Sequence, residues 1–223
     1  MPYSLAQIAG LAYRWGDCQA ILYDPVRESV FPPPYLLTLY NLCRASGRAK
    51  LGILEPLFCG MRDLSQEAIC AYLHAQKLVI LGEWRQEERE DGSKIAFFAP
   101  LGFCFLTVLT RGKTTSSGFG AYAFFQEAWR SPQQWVLTGL GISYLLQEFG
   151  LVTLNGIRYA DNKLTARWMQ KFGFQDVGTL PNYMIRPSTG ELTDATVSTL
   201  ARAEFESRLS EALDGCGRLQ QEE

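Results

Sequence analysis

Histidine is nearly absent from this chain of 223 residues, and its cysteines form no close pair. His74 is the single histidine, so a histidine-based triad or metal site would have to use it, and its helical surroundings favour a surface role. The six cysteines, at positions 18, 43, 59, 70, 104 and 216, include no C-x-x-C motif, which argues against a zinc knuckle and a disulfide scaffold. We therefore expect reduced, mostly buried thiols and no bound metal.

The chain also lacks a charge imbalance and a long apolar run. Its 21 lysines and arginines against 23 aspartates and glutamates give a net charge of -2, which disfavours nucleic acid as a partner. The longest apolar stretches, such as Ala96 to Leu109 with its Pro100 and Gly102, fall short of the ~20 residues that cross a bilayer. Residues 1–5 carry no secretory signal pattern. We expect no membrane partner and a cytoplasmic location.

What the chain has is apolar material for one sizeable core. Hydrophobic residues make up 47% of it and aromatic residues 13%, and its length suits one large domain with an appendage. We divide it into a helical, proline-rich extension at residues 1–49, a main domain at 50–213 and a disordered tail at 214–223.

The predicted elements follow the order of a mixed sheet with helices on its faces, an α+β fold. In the extension, a helical pattern runs to about Trp15, and Pro32 to Pro34 separate it from a further helix. Strands are predicted near Leu51–Leu57, Lys77–Arg85, Phe97–Thr110, Phe119–Glu127, Leu151–Tyr159 and Asp176–Ile185. Helices are predicted at Tyr35–Ala45, Asp63–Gln76 with Asp63 as N-cap, Ser131–Phe149, Asn162–Phe172 and Asp194–Leu213.

The clearest helix start lies at Ser131, because three signals coincide there. Ser131 is an N-cap residue, Pro132 suits the first helical position, and Gln134 stands where a capping box needs a glutamine. We expect this helix to end at Gly150. Glycines inside it, such as Gly141, cost helical stability and therefore indicate close packing against a neighbour.

A second helix start, at Asn162, belongs to a longer pattern. The segment from Asn162 to Phe174 follows a predicted strand and resembles the C-terminal half of the general N-acetyltransferase (GNAT) superfamily, closest to its N-terminal-amine and phage-encoded members. The family's positions are held here by Asn162, Thr165, Lys171, Gly173, Phe174 and Gly178. The tail from Gly190 to Phe205 also looks like the ending of those members, and the resemblance covers roughly residues 50 to 210.

The resemblance implies a GNAT-like fold in which two central strands separate in a V-shaped split. The pantetheine arm of acetyl-CoA would enter that split like an extra strand, through main-chain hydrogen bonds. The cofactor's pyrophosphate would rest on a helix N-terminus, where the amide groups and the helix dipole attract anions. The residues that the resemblance implies for cofactor binding are Arg130, Gln133, Gln134, Trp135, Asn162 and Thr165.

The phosphate-binding loop departs from the family's Q/R-x-x-G-x-G/A pattern. With Arg130 in the first place, Gln133 and Trp135 replace both glycines, and Pro132 removes one amide donor. The competing register, Val136–Gly141, restores the glycines but loses the leading Arg or Gln and shortens the helix. We prefer the first register, because the helix-capping signals support it independently.

The family's usual acid, a tyrosine in the helix after the asparagine, is replaced here by Met169. Glu127, near the end of the strand beside the split, is the candidate general base, acting directly or through water, although a solvated strand end explains it equally well. Tyr183 is the second catalytic candidate, and Tyr159 lies in the same region. Packing accounts for either tyrosine as well.

Two functions fit these features. The first is transfer of an acetyl group from acetyl-CoA to a primary amine of a protein, peptide or small molecule, which we favour. The second is a catalytically degenerate GNAT-fold protein for assembly or binding, such as a phage virion or accessory component, in which residues 1–49 dock on a protein partner. The second hypothesis predicts a cleft that is plugged by Trp135 and Gln133.

Overall fold

A computed structural model gives the fold, and it describes residues 6–8, 12–23, 35–47, 52–58, 61–89, 91–113, 115–129 and 131–208. Within these ranges one sheet of nine strands carries helices on both faces. The strands are β1 (Ala6–Ile8), β2 (Ala12–Trp15), β3 (Cys18–Leu22), β4 (Lys77–Glu88), β5 (Lys94–Arg111), β6 (Ser116–Phe124), β7 (Leu151–Tyr159), β8 (Gln175–Ile185) and β9 (Leu192–Ala201). The helices are α1 (Tyr35–Ala45), α2 (Leu54–Leu57), α3 (Gln66–His74), α4 (Pro132–Glu148) and α5 (Lys163–Lys171), with a 3-10 turn at Gln126–Ala128 and a last helical segment at 202–208.

The strands lie in the order β1-β2-β3-β4-β5-β6-β7-β9-β8. Neighbouring strands run antiparallel except β6 and β7, which are parallel because α4 carries the chain from one to the other. β9 lies between β7 and β8, so β8 is an edge strand. This mixed sheet flanked by helices confirms the α+β fold that the sequence predicts.

Two apolar cores lie on the two faces of the sheet, and β4 contributes to both. Leu78 and Ile80 pack in the core with α1 and α3, whereas Val79 and Leu81 pack in the core with α4. Successive strand side chains point to opposite faces, and all four of these are fully buried. A central strand covered on both faces therefore has an uninterrupted apolar sequence.

Helix α4 begins and ends as the sequence predicts. The hydroxyl of Ser131 accepts a hydrogen bond from the Gln134 N–H at 3.3 Å, and Pro132 holds the first helical position. The helix ends at Glu148, two residues before Gly150, whose φ of +59° lies in the left-handed region that glycine adopts without strain.

Helix α5 also has both of its predicted end signals. The Thr165 N–H donates to the Asn162 side-chain oxygen at 3.1 Å, so Asn162 caps the helix. At the other end Gly173 has a φ of +95°, and the Phe174 N–H donates to the Met169 carbonyl at 3.2 Å. Phe174 is buried, as expected of an apolar residue that folds back on the last turn.

The helix predicted in the first fifteen residues is wrong, whereas the one predicted at Tyr35–Ala45 is confirmed. Ala12–Trp15 form a strand that pairs with Cys18–Leu22 across a two-residue turn, in which Gly16 has a φ of +56°. The hairpin joins the sheet because β3 pairs with β4, more than fifty residues later in the chain. A local sequence pattern carries no signal for such a long-range pairing. The division of the chain at residues 1–49 and 50–213 stays a prediction.

The strand predicted at Leu51–Leu57 is also wrong, because residues 52–53 turn back on α1 and Leu54–Leu57 form the short helix α2. Gly52 has a φ of +58°, and the next N–H, that of Ile53, donates to the Cys43 carbonyl at 3.1 Å. A Cβ atom on Gly52 would lie 2.1 Å from the Cys43 oxygen, so only glycine allows this close approach.

Helix α3 lies inside its predicted range but has a different N-cap. Ser65, not Asp63, caps it: the Ser65 hydroxyl accepts from the Ala68 N–H at 3.3 Å. Asp63 instead accepts a hydrogen bond from the Ser65 N–H at 2.8 Å. The capping residue is thus placed two positions later, and Asp63 stabilises the turn before it.

The final helix predicted at Asp194–Leu213 is mostly wrong, because Leu192–Ala201 form β9 and helix follows only at 202–208. The strand is rich in β-branched residues, which pack well on a pleated sheet. Ala195 and Leu200 are fully buried between neighbouring elements, and this tertiary burial outweighs the weak helical pattern.

Some features of the sequence lie outside the described residues. They are the triple proline at 32–34, Cys59, Arg130, Cys216 and the tail at 214–223. Among the helices that the structure describes, none is long and apolar enough to cross a membrane.

Helix α4 packs closely on the sheet at Gly141. A Cβ atom there would lie 3.0 Å from the Cys104 sulfur and 3.2 Å from Cδ2 of Leu81. The close packing that the sequence predicts for this glycine is therefore confirmed.

Replacing Gly141 with valine should destabilise the protein by about 1–3 kcal/mol, because the larger side chain overpacks the core between α4 and the sheet. Gly178→Val is the matched control: nothing lies within 4 Å of a Cβ at Gly178, and valine suits an exposed strand. Urea denaturation measures both free energies of unfolding. Equal midpoints for the two variants would contradict the close packing of Gly141.

Candidate active site

The two parallel strands at the centre of the sheet pair over only part of their length. Their pairing ends at Phe119 of β6 and Asn155 of β7, although β6 continues to Phe124 and β7 to Tyr159. Beyond that point the two strands separate, and a cavity of about 850 Å³ lies between them. We call this cavity the split, and it has the place and form that the resemblance implies.

Peptide groups of β6 point into the split. In an antiparallel pair, alternate residues direct both their N–H and their C=O toward the same neighbour. The odd-numbered residues face β5, as the 2.9 Å bond from the Phe125 N–H to the Leu101 carbonyl continues to show. Tyr122, which lies beyond the last β6–β7 pair, therefore directs its N–H and C=O away from β5, into the split. They are available to an extended ligand.

Helix α5 lines one side of the split, together with the start of α4. Residues that border the split here are Gln134, Asn162, Leu164, Thr165, Trp168 and Met169. The methyl group of Met169 lies against β7, since a Cβ on Gly156 would be 2.7 Å from it. The place where the family carries its tyrosine is thus filled by an apolar side chain. We call this the helix side of the split.

The opposite side of the split is apolar. It is lined by Ile53, Pro56, Leu57, Phe58, Met61, Tyr72, Phe105 and Ala121, which come from α2, α3 and the strands they cover. Phe58 packs on Phe105 with ring centroids 6.1 Å apart, and Tyr72 meets both rings edge-on. We call this the apolar side of the split.

Three buried hydrogen-bond donors of the split have no partner among the residues that the structure describes. They are the Tyr122 hydroxyl, the Trp168 indole N–H and the Nε–H of Arg158. A buried donor without a partner costs about 1–3 kcal/mol, so such groups commonly serve a ligand. Burial also raises the pKa of Tyr122, so its hydroxyl stays protonated at physiological pH.

Arg158 is the one charged residue among the described residues that line the split. It is buried, and its guanidinium pairs with the Asp176 carboxylate at 2.7 Å. Asp176 accepts a second hydrogen bond, from the Ser198 hydroxyl, at 2.6 Å. This network fixes the side chain of Arg158 while its Nε–H stays unbonded.

The start of α4 does not plug the split. The Trp135 ring packs against Phe172 with centroids 4.9 Å apart, and the Lys171 ammonium lies 4.6 Å from the Trp135 ring centre. Gln133 is exposed. Neither Trp135 nor Gln133 lines the cavity, whereas Gln134 does. The plug expected for a degenerate protein is therefore wrong, and Arg130 lies outside the described residues.

The two catalytic candidates from the sequence do not line the split. The Glu127 carboxylate pairs with Arg85 at 2.6 Å and is 59% exposed. The hydrogen bond that Arg85 donates to Glu83, and to a smaller extent the one to Glu127, raises the pKa of Arg85. Tyr183 lies on the edge strand β8 and is 62% exposed. Neither residue lines the cavity, so their catalytic roles stay predictions.

The described cysteines and the histidine offer no alternative chemistry at the split. Burial raises the pKa of the Cys43 thiol to about 12 and also raises that of Cys104, so both stay un-ionised. His74 is exposed at the end of α3, as its sequence pattern indicates. In the part of the chain that the structure describes, no cluster of His, Cys, Asp and Glu could hold a metal ion.

Of the residues predicted from the sequence, Gln134, Asn162 and Thr165 line the split. The sequence did not point to Tyr122, Arg158 and Trp168, which also line it. Arg158 is the one charged residue of the predicted strand Leu151–Tyr159, which was an available signal. Tyr122 and Trp168 carried none, because aromatic residues at such positions are typical of a core.

No protein-family model matches the sequence, and no curated protein matches it. Among solved structures, RimJ from Mycobacterium smegmatis in complex with CoA-disulfide is 16% identical over 91% of this chain and 90% of its own, with a TM-score of 0.63. A GCN5-related N-acetyltransferase from Brucella melitensis is 12% identical over 94% and 86%, with a TM-score of 0.63. Spermidine/spermine N-acetyltransferase SpeG from Vibrio cholerae is 11% identical over 86% and 96%, with a TM-score of 0.56. The chain therefore has the GNAT fold, as the resemblance implies.

Removing the unpartnered hydroxyl with Tyr122→Phe should raise the free energy of unfolding by about 1 kcal/mol, because a buried donor without a partner is lost. Tyr159→Phe is the matched control. The Tyr159 hydroxyl is buried and donates to the Ile185 carbonyl at 3.0 Å, so its removal should lower stability by about 1 kcal/mol. Urea denaturation without ligand compares the two, and destabilisation by both would contradict an unpartnered Tyr122.

Proposed function

We propose that this chain is an N-acetyltransferase that moves an acetyl group from acetyl-CoA to a primary amine. The observation that carries the proposal is the split, in which the N–H and C=O of Tyr122 are left without a neighbouring strand. The pantetheine arm of CoA is extended and carries two amide groups, so it can bond to a strand edge as another strand would.

The residues of the split fit such a ligand. The unpartnered donors of Tyr122, Trp168 and Arg158 suit the carbonyl oxygens of an acyl-CoA. Asn162 and Thr165, at the start of α5, add polar groups beside them. The remaining walls are largely apolar, which suits the methylene groups and excludes water.

A pyrophosphate would be held at the start of α4 with fewer amides than the family uses. Pro132 has no N–H and the Gln134 N–H is bonded to Ser131, so Gln133 offers the amide of this first helical turn. The Lys171 ammonium, which lies over the Trp135 ring, supplies a positive charge beside the same helix start. Its charge adds to the helix dipole in attracting an anion.

When bound, acetyl-CoA supplies an acetyl group already activated as a thioester. The protein's own contributions are to align the reactants, to exclude water and to offer fixed donors where negative charge develops. The Tyr122 hydroxyl is such a donor, because its raised pKa keeps the proton on it. No described cysteine lines the split, so we propose direct attack by the amine.

A GNAT-fold protein without activity is the alternative function. Two observations favour it: Pro132 and Gln133 stand where the family has an open, glycine-rich helix start, and Met169 fills the place of the usual tyrosine. Against it stands the open cavity, which neither Trp135 nor Gln133 fills.

Acetyl-CoA at about 100 times its dissociation constant should stabilise the native protein by about 2.7 kcal/mol, which raises the Tm by about 5–10 °C. Thr165→Trp should abolish this shift, because a bulky side chain at Thr165 fills the helix side of the split. Lys163→Trp is the matched control, since Lys163 is exposed on the same helical turn and does not line the cavity. Scanning calorimetry measures all three proteins.

A shift in the wild type and in Lys163→Trp, but not in Thr165→Trp, supports the proposal. Absence of any shift with millimolar acetyl-CoA in the wild type would contradict it and favour the inactive alternative. An equal shift in all three proteins would mean that the ligand binds elsewhere.

A further inference from the structure

The apolar side of the split contains no acid among its described residues. Its lining consists of Ile53, Pro56, Leu57, Phe58, Met61, Tyr72, Phe105 and Ala121. A polyamine or a lysine side chain brings a full positive charge, and burying it beside these residues without an anion is costly.

Acids that flank this side in the sequence have partners of their own. The Asp63 carboxylate accepts a hydrogen bond from the Ser65 N–H at 2.8 Å. Glu55 lies in α2, but its carboxylate accepts hydrogen bonds from the N–H and the hydroxyl of Ser188, at 3.0 and 2.5 Å. Glu127 follows β6, but it pairs with Arg85. The charged residue that does line the split, Arg158, is paired with Asp176 and therefore supplies no negative charge to a cationic acceptor.

The same absence limits how an amine can lose its proton. Only the neutral amine attacks a thioester, and the described lining of the split offers neither a carboxylate nor an imidazole as a general base. At pH 7.5 about 0.1% of an alkylamine with a pKa of about 10.4 is neutral, against about 30% of an α-amino group with a pKa of about 7.7–8.0. An α-amine thus needs no base from the protein.

We propose that the acceptor is the α-amino group of a peptide or protein whose first residue is apolar. This inference rests on the proposed function, since it names the acceptor of that same transfer. The apolar side binds the first side chain, and its aromatic residues favour a large one. The nitrogen forms the new amide bond with the acetyl carbon as the carbon–sulfur bond breaks. The nitrogen loses one proton to water, and the departing CoA thiolate takes one proton from water and leaves as the thiol.

Four acceptors separate the possibilities: a hexapeptide that begins with phenylalanine, the same peptide beginning with aspartate, a blocked peptide with one internal lysine, and spermidine. The released thiol gives kcat/KM, and mass spectrometry locates the acetyl group. We expect the phenylalanine peptide to exceed each of the others at least tenfold. Its kcat/KM should rise with pH up to about 8 and then level off, as the α-amine deprotonates.

A carboxylate placed on the apolar side should reverse this preference. Met61→Glu, in the loop before α3, is expected to lower kcat/KM for the phenylalanine peptide at least tenfold. The ratio of this kcat/KM to the kcat/KM for spermidine should become smaller or invert. Val152→Glu, exposed on β7 and outside the cavity lining, is the matched control and should change neither. Calorimetric titration of the phenylalanine peptide into the CoA complex gives a binding readout independent of turnover, and this binding should weaken in Met61→Glu alone.

Preferred acetylation of spermidine or of the lysine side chain overturns the acceptor assignment and leaves the proposed function intact. Binding of CoA with no transfer to any of the four acceptors also overturns it. Absence of CoA binding overturns the proposed function itself, so the two failures are distinguishable by calorimetry with CoA alone.

Discussion

Past Phe119 and Asn155, β6 and β7 leave peptide groups without strand partners in the middle of a sheet, and such groups cost free energy when water cannot reach them. The strands can separate there because other elements hold each of them. β5 pairs with the whole of β6, β9 pairs with β7, and α4 joins the two strands while packing on the sheet. The candidate site is therefore a consequence of incomplete pairing, and the side chains around it decide which ligand can complete that pairing.

The two sides of the split differ in chemistry because they belong to the two cores of the molecule. On the helix side, polar side chains at the start of α5 and three unpartnered donors surround the opening. On the apolar side, α2 and α3 cover the sheet with aliphatic and aromatic residues. An extended polar ligand on the helix side, with an apolar second ligand on the apolar side, matches this division better than a uniformly charged ligand does.

Local signals in the sequence predict the elements near the site better than those far from it. Ser131, Asn162 and Gly150 each fix a helix end through the backbone beside them, so a single sequence reveals them. β2, β3 and β9 depend on pairing with distant strands, and their residues carry no comparable local mark.

The site itself is predictable only in part, for the same reason. Asn162 and Thr165 are found because their roles follow from a helix start and a family pattern. Tyr122 and Arg158 can be recognised as candidate site residues only in the folded structure, where their polar atoms are buried without a partner. Glu127 was chosen from its position along a strand, and an ion pair with Arg85 from a distant strand decides where its carboxylate lies.

The position of β9 between β7 and β8 also sets the order in which the molecule can be built. β8 is made before β9, yet it pairs with no other described strand, so it has no partner until β9 has left the ribosome. One wall of the split belongs to β7, and the edge of β7 that faces away from β6 also pairs with β9. The nascent chain must therefore keep β7 and β8 from mispairing while most of the sheet is already synthesised, and folding of this half is completed late.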